Sequence, residues 1–267
     1  MDTAQITKLY VYPVKSCAGI ALKTARCGKF GLEHDREWVI VSTDGQVLTQ
    51  RDRARMALIR PSVGADGTLT LQAPDRPPLV VPTNASAEQT VHIKVWQDAC
   101  SGLDQGGAAA EWLSDFLEAP LRLLRNDPKS VRQTKETLPD GTRARIAFSD
   151  CCPLLVISEE SLADLNKRLS EPLPMNRFRP SLVISGLGRF GEDRSKTLRA
   201  AEMTLHAAKP CARCLLTTID QEQGLLKGPE PLRTLSKYRR QGEKVLFGHY
   251  FLPDRTGCLR VGELLHA

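Results

Sequence analysis

The chain is poor in aromatic residues, with seven Phe, four Tyr and three Trp in 267 residues. Nowhere do arginines interleave with aromatics to make a platform for single-stranded bases, which argues against a nucleic-acid partner. The net charge of +6 is modest for this length and selects no partner by itself. No apolar run approaches the roughly 20 residues that a membrane-spanning helix needs, so no membrane association is expected. Met1-Asp2-Thr3-Ala4-Gln5 opens the chain without an apolar signal segment. Eight cysteines, two of them adjacent at 151 and 152, do not have the spacing of a secreted disulfide framework. A cytoplasmic protein in a reducing compartment is the expectation. No period recurs and no low-complexity segment occurs.

What is present is enough chain for one large domain or two small ones. Seventeen prolines and nineteen glycines spread along it predict many short strands and turns. The stretch around which the rest is organised is Lys209-Pro210-Cys211-Ala212-Arg213-Cys214-Leu215-Leu216-Thr217-Thr218-Ile219-Asp220. It places two thiols three residues apart with a guanidinium between them, and a neighbouring cation favours the nucleophilic, metal-binding thiolate. A dithiol-exchange motif would open a helix, whereas Leu215 to Ile219 reads as a strand. A zinc site would need a second cysteine pair, and none of Cys17, Cys27, Cys100, Cys151, Cys152 or Cys258 forms a second Cys-x-x-Cys. A single thiolate on a soft metal and two inert, buried thiols both remain open.

Gln5 to Tyr12 alternates as a strand, with Ile6, Tyr10 and Tyr12 on one face and Leu9 and Val11 on the other. Lys15 and Ser16 follow in the turn after Pro13, a pairing suited to a phosphate or simply to solvent. Arg36 either reaches an anion or pairs with Asp35 or Glu33. Val39 to Val41 and Val91 to Trp96 read as strands. Ala109, Trp112, Leu113, Phe116 and Leu117 make one face of a helix ended by Pro120. Residues 126–142 read as a linker or surface loop whose basic residues, Arg132 and Lys135 among them, could flank an entrance. Ser158 caps a helix with Glu159 and Glu160 in its first turn. Asn176 to Pro180 reads as extended, which would point Arg177 and Arg179 the same way as an anion clamp, with Phe178 facing the core. Short strands with few helices suit barrel-like β packing better than a parallel α/β sheet.

Eight motifs stand in order: Tyr12-Pro13-Val14-Lys15-Ser16, Asp35-Arg36-Glu37-Trp38, Ser149-Asp150, Ser161-Leu162-Ala163-Asp164-Leu165-Asn166, Asn176-Arg177-Phe178-Arg179-Pro180, the Cys211–Asp220 stretch, Tyr238-Arg239 and Phe247-Gly248-His249-Tyr250. With them the chain resembles the MOSC family over nearly its whole length, and within it the mitochondrial amidoxime-reducing components and their bacterial counterparts. The resemblance implies a mainly β protein with a few helices, divided into a MOSC N-terminal β-barrel domain over 1–122 and a β-barrel MOSC domain over 123–267. It implies binding of the molybdenum cofactor (molybdopterin), with Cys214 as thiolate ligand to the metal and Cys211 close by but not a ligand. Lys15, Ser16 and Arg36 match positions that hold the cofactor's anionic tail. Asn176, Arg177 and Arg179 match its pterin and phosphate contacts, and Asp150 matches an acidic residue beside the metal.

The implied activity is reduction of small N-hydroxylated compounds such as amidoximes, hydroxylamines and N-hydroxylated bases, by oxygen transfer to molybdenum. An alternative is a carrier that binds the cofactor or a persulfide without reductase activity. Two departures stand out: Ser181 replaces an Asn frequent in relatives, and only Cys258 follows Cys214 before Ala267. No [2Fe–2S] cluster is therefore expected in cis. Electrons are expected from a separate donor protein, a flavoprotein reductase or one like a ferredoxin or cytochrome.

Overall fold

The computed structural model describes residues 2–82 and 89–267. Seven strands close into a barrel, in the spatial order Thr3–Val11, Leu182–Ser185, Leu154–Ser158, Lys244–Pro253, Thr204–Arg213, Thr197–Arg199, Leu264–His266 and back to Thr3–Val11. Only the contact of Leu154–Ser158 with Leu182–Ser185 is parallel. Closure removes the exposed sheet edges that an open sheet would have to protect. The barrel thus draws one strand from the very start of the chain and the other six from residues 154–266.

That first strand corrects its sequence pattern. The register shifts between Ile6 and Lys8, so Ile6 turns to the side of Leu9 and Val11. Ala4, Ile6, Leu9 and Val11 all join the interior with Leu154, Val156, Leu182, Ile184 and Phe251. A bulge adds one residue and inverts the alternation beyond it. At the opposite wall Gly248 takes φ 79°. A Cβ there would lie 2.6 Å from Ile157 Cγ1, so glycine is what lets the long strand bend against its neighbour.

Outside the barrel, Phe178 and Phe247 pack with their rings 4.4 Å apart under the helices Glu159–Asn166 and Leu232–Ser236. Ser158 caps the first of these, its hydroxyl accepting from the Ser161 amide.

The other half of the molecule is an open, half-barrel arrangement. Trp38–Ser42, Leu121–Asn126, Asp98–Asp104 and Thr90–Val95 form an antiparallel sheet, and Arg60–Val63, Leu69–Gln72 and Leu79–Val81 form a second. The expected helix spans Gly107–Leu117 and buries Ala109, Trp112, Leu113, Phe116 and Leu117 in a core shared with Trp38, Ile40, Leu121 and Leu123 of the first sheet and Leu69, Leu71 and Val81 of the second. Four α-helices in all, among the described residues, make the protein mainly β. After Asn126, the last residue of a strand, residues 127–142 contain no regular strand or helix, but they are pinned rather than loose. Arg132 is buried and donates to the carbonyls of Ala147 and Ser149 and to Asp98.

Two local expectations are overturned. Leu215–Thr218 is a single 3₁₀ turn, and the strand after it is only Ile219–Asp220. The threonines explain this, because Thr217 and Thr218 donate their hydroxyls to the carbonyls of Cys214 and Leu215, at 3.0 and 2.7 Å. Such back-bonding offers the backbone an alternative to a ladder. Likewise Met175–Arg177 is a 3₁₀ turn, not an extended segment. At three residues per turn, side chains two apart diverge instead of sharing a face.

Candidate functional site

A cleft of about 530 Å³ opens where the half-barrel meets the end of the closed barrel. Lys15, Ser16, Arg36 and Trp96 line it from one side, and Asp150, Arg179 and the 209–217 segment from the other.

Its floor is a stack of three side chains. The Tyr12 ring lies between the guanidinium groups of Arg36, 4.4 Å from the ring centroid, and Arg179, 4.2 Å away. The Tyr12 hydroxyl donates to the Pro180 carbonyl. Burial pushes the Tyr12 phenol far up, against the pull of both arginines. Arg36 is neutralised by the buried Asp35, which also accepts from the Tyr12 amide. Arg179 has no such partner: among the described residues it makes no ion pair, and it donates to the Cys17 carbonyl. Burial lowers Arg179 to about 10, so it still carries its charge near neutral pH. A buried guanidinium balanced only by a carbonyl and a π face is a place for an anion.

Above the floor, Lys15 Nζ donates to the Phe148 carbonyl at 2.9 Å and to Asp150 Oδ1 at 2.5 Å. Lys15 is buried, whereas the Asp150 side chain remains 56% exposed at the cleft mouth. The Trp96 indole also donates to Asp150 Oδ1, at 2.9 Å. Crowding at the cleft works to raise Asp150, but the Lys15 charge and the two hydrogen bonds outweigh it and hold the carboxyl well below the usual range. Burial lowers Lys15 against the pull of Asp150. Ser16 sits at φ 64° in the turn from Val14 to Cys17, and Gln50 donates to its carbonyl.

Four of the eight cysteines line this one cleft: Cys151, Cys152, Cys211 and Cys214. Cys214 is exposed, Cys151 half-buried, and Cys152 and Cys211 buried. Cys211 lies two residues before the end of the barrel strand, with Arg213 donating to its sulfur at 2.8 Å. Burial pushes the Cys211 thiol up despite Arg213 and Tyr250 beside it. Cys152 donates to Glu136 at 3.6 Å, and Glu136 pairs with Lys209 at 2.7 Å.

Of the residues singled out by sequence, Lys15, Ser16, Arg36, Asp150, Arg179 and Cys214 therefore converge on one cavity. Asn176 and Arg177 are not among its lining residues. Arg177 is turned onto Asp220, at 3.1 Å, and its Nη1 and the Asn176 Oδ1 are buried without partners. The 3₁₀ turn is the physical reason that Arg177 and Arg179 do not form a clamp. Sequence reasoning missed Trp96, Arg51 and Tyr250 as cleft residues. Tyr250 was visible only within a motif, and Trp96 only as the end of a strand.

Residues 3–120 match the MOSC N-terminal beta barrel domain and residues 143–266 match the MOSC domain. The chain is 36% identical over 275 residues to mitochondrial amidoxime-reducing component 1 of Homo sapiens, covering 97% of this chain and 81% of that protein. It is 34% identical over 270 residues to the Danio rerio protein of the same name, covering 97% and 83%. With human mitochondrial amidoxime reducing component 2 the identity is 33% over 274 residues, covering 97% and 82%.

Proposed function

The chain belongs to the MOSC family, carrying both the N-terminal β-barrel domain and the MOSC domain, and from that premise we propose that it binds the molybdenum cofactor and reduces N-hydroxylated compounds. The observation that carries the reading is the donor set of the cleft. One exposed thiol, Cys214, faces the same cavity as the carboxylate-free cation Arg179 and the cations Arg36 and Lys15. A soft thiolate beside a cationic floor suits a soft metal that arrives on an organic, phosphate-bearing cofactor. The relatives' names, as amidoxime-reducing components, support the substrate class.

When bound, the cofactor would supply two-electron oxygen-transfer chemistry, whose net change turns an N–OH plus two electrons and two protons into an N–H and water. The protein's part is binding, orientation and electrostatics. Cys214 supplies the thiolate; Arg179, Arg36, Lys15 and Ser16 hold the anionic tail. Asp150, kept ionised by Lys15 and fixed by Trp96, lies at the mouth, where it orients a protonated or hydrogen-bond-donating substrate nitrogen. Tyr250 and the Phe178 ring close the inner wall against water. Electrons come from a separate donor protein. The eight free cysteines fit a reducing compartment, and among the described residues no helix is long and apolar enough to cross a membrane.

The test is elemental. Wild-type protein from a host that makes the cofactor should hold close to one molybdenum per chain and, with a chemical reductant, convert an amidoxime to the amidine. Cys214→Ala should lose both. Metal without turnover would favour the cofactor-carrier alternative, and a wild type with no molybdenum would sink the reductase and cofactor-carrier readings and leave only a persulfide carrier.

A further inference from the structure

Trp96 occupies a backbone position that suits glycine. The strands Thr90–Val95 and Asp98–Asp104 are joined by a turn of two residues, because Val95 pairs directly with Asp98. Two-residue hairpins favour φ above zero at their first central residue, a place where glycine is preferred. Trp96 adopts φ 58° there, which is costly for a bulky side chain. The strain holds a large ring in the open. Trp96 is 59% exposed, whereas Trp38 and Trp112 are 1% and 9% exposed in the core.

The ring is nevertheless fixed. Its Nε1 edge is tied to Asp150, and the Arg51 guanidinium stands 4.9 Å from its centroid. Among the described residues no other ring or cation stacks on it. Trp96, Arg51, Asp150 and Lys15 also border a second, polar hollow of about 770 Å³ toward His92, Lys94 and Ser101. The indole is thus a fixed partition at the mouth of the cleft that contains Cys214.

We propose that Trp96 is a stacking platform for planar, π-conjugated N-hydroxylated substrates, aryl amidoximes and N-hydroxylated heteroaromatic bases, and that it makes the site prefer them over aliphatic ones. An indole held at its edge by a carboxylate and polarised by a guanidinium offers a flat, rigid surface. Stacking on it costs little ordering, because the turn and the two contacts have already immobilised the ring. The ionised Asp150 next to the indole is in place to accept a hydrogen bond from the amidine-type N–H of the stacked substrate. The inference rests on the reductase reading.

Holoenzyme variants Trp96→Gly and Trp96→Phe, assayed with benzamidoxime and acetamidoxime, test it. Glycine fits the left-handed backbone, so lost function in that variant is not lost folding. Trp96→Gly should raise KM for benzamidoxime about tenfold more than it raises KM for acetamidoxime, the size of one aromatic contact, because the loss of the indole bond to Asp150 is common to both substrates. Trp96→Phe, which keeps a ring but no N–H, should stay within about threefold of wild type on benzamidoxime. Equal changes for the two substrates in Trp96→Gly, or none, would overturn the platform.

Should the wild type reduce neither compound, the reductase reading has failed and fluorescence decides the platform alone. Saturable quenching of wild type by benzamidoxime, absent in Trp96→Phe and with acetamidoxime, would uphold it. No such quenching would refute it.

Discussion

Within four residues the central stretch passes from one environment into its opposite. Up to Arg213 it is barrel strand. Cys211 is buried there, and Arg213 ties its sulfur to the Phe178 carbonyl through two donated hydrogen bonds of 2.8 and 2.6 Å. From Cys214 onward it is a turn stapled by threonine hydroxyls, and its first residue is exposed to the cleft. Burial raises the first thiol; the second faces solvent and a row of cations. A Cys-x-x-Cys in this setting is one sealed thiol and one open one, because the strand ends between them. The spacing alone cannot say which is which.

The largest effect separates the two thiols. Cys214→Ser should remove bound molybdenum and all turnover, while leaving stability within about 0.5 kcal/mol, since the side chain is exposed. Cys211→Ser should retain the metal, because a hydroxyl can still accept from Arg213. Elemental analysis and urea unfolding of the pair decide this. Metal lost from both variants, or from Cys211→Ser alone, would reverse the assignment of open and sealed ends.

Next in size is the seal itself. Arg213→Met should destabilise the fold by about 2–3 kcal/mol, because the Phe178 carbonyl and the Cys211 sulfur lose a charged donor. Urea midpoints check it. A loss below about 1 kcal/mol would mean that solvent already reaches the buried end.

Facing the open end, Asp150→Asn should cost about 2 kcal/mol, since the buried Lys15 ammonium then loses its paired carboxylate and keeps only neutral oxygen acceptors. The sign of the pH dependence follows from the depressed carboxyl. Its contribution is present above the unfolded value near pH 4 and is lost as pH falls below that toward the folded value. The stability gap between wild type and Asp150→Asn should therefore close progressively below about pH 4. A gap that widened on acidification would contradict the pairing with Lys15.

Much of this site was legible because its chemistry sits in short ordered motifs: Lys15-Ser16, Arg36, Asp150, Arg179 and Cys214 all face one cavity. What stayed hidden was set by tertiary contacts and hydroxyl chemistry. The β-branched run after Cys214 has strand propensity, yet two threonine back-bonds made it a turn. Alternation put Arg177 beside Arg179, yet a 3₁₀ turn sent Arg177 to Asp220. The barrel takes its first strand from residues 3–11, across some 140 residues of intervening chain, a long-range pairing that no local pattern carries. Trp96 had one available signal, a large aromatic between two strands that leave only two residues for the turn.

The smallest effect tests why the turn exists at all. Thr217 and Thr218 are buried, and each donates to the carbonyl three residues back. Valine has nearly the same shape but no hydroxyl, and it favours a pleated backbone. Thr217→Val and Thr218→Val should each cost about 1 kcal/mol, one net hydrogen bond apiece, in thermal or urea unfolding. If the hydroxyls are what hold Cys214 out in the cleft, the double variant should also slow alkylation of Cys214 in cofactor-free protein, as the segment drifts toward the strand that its side chains would otherwise prefer. Unchanged alkylation in the double variant would mean that the Arg177–Asp220 pair at the far end of the turn, rather than the threonines, sets the geometry of the open thiol.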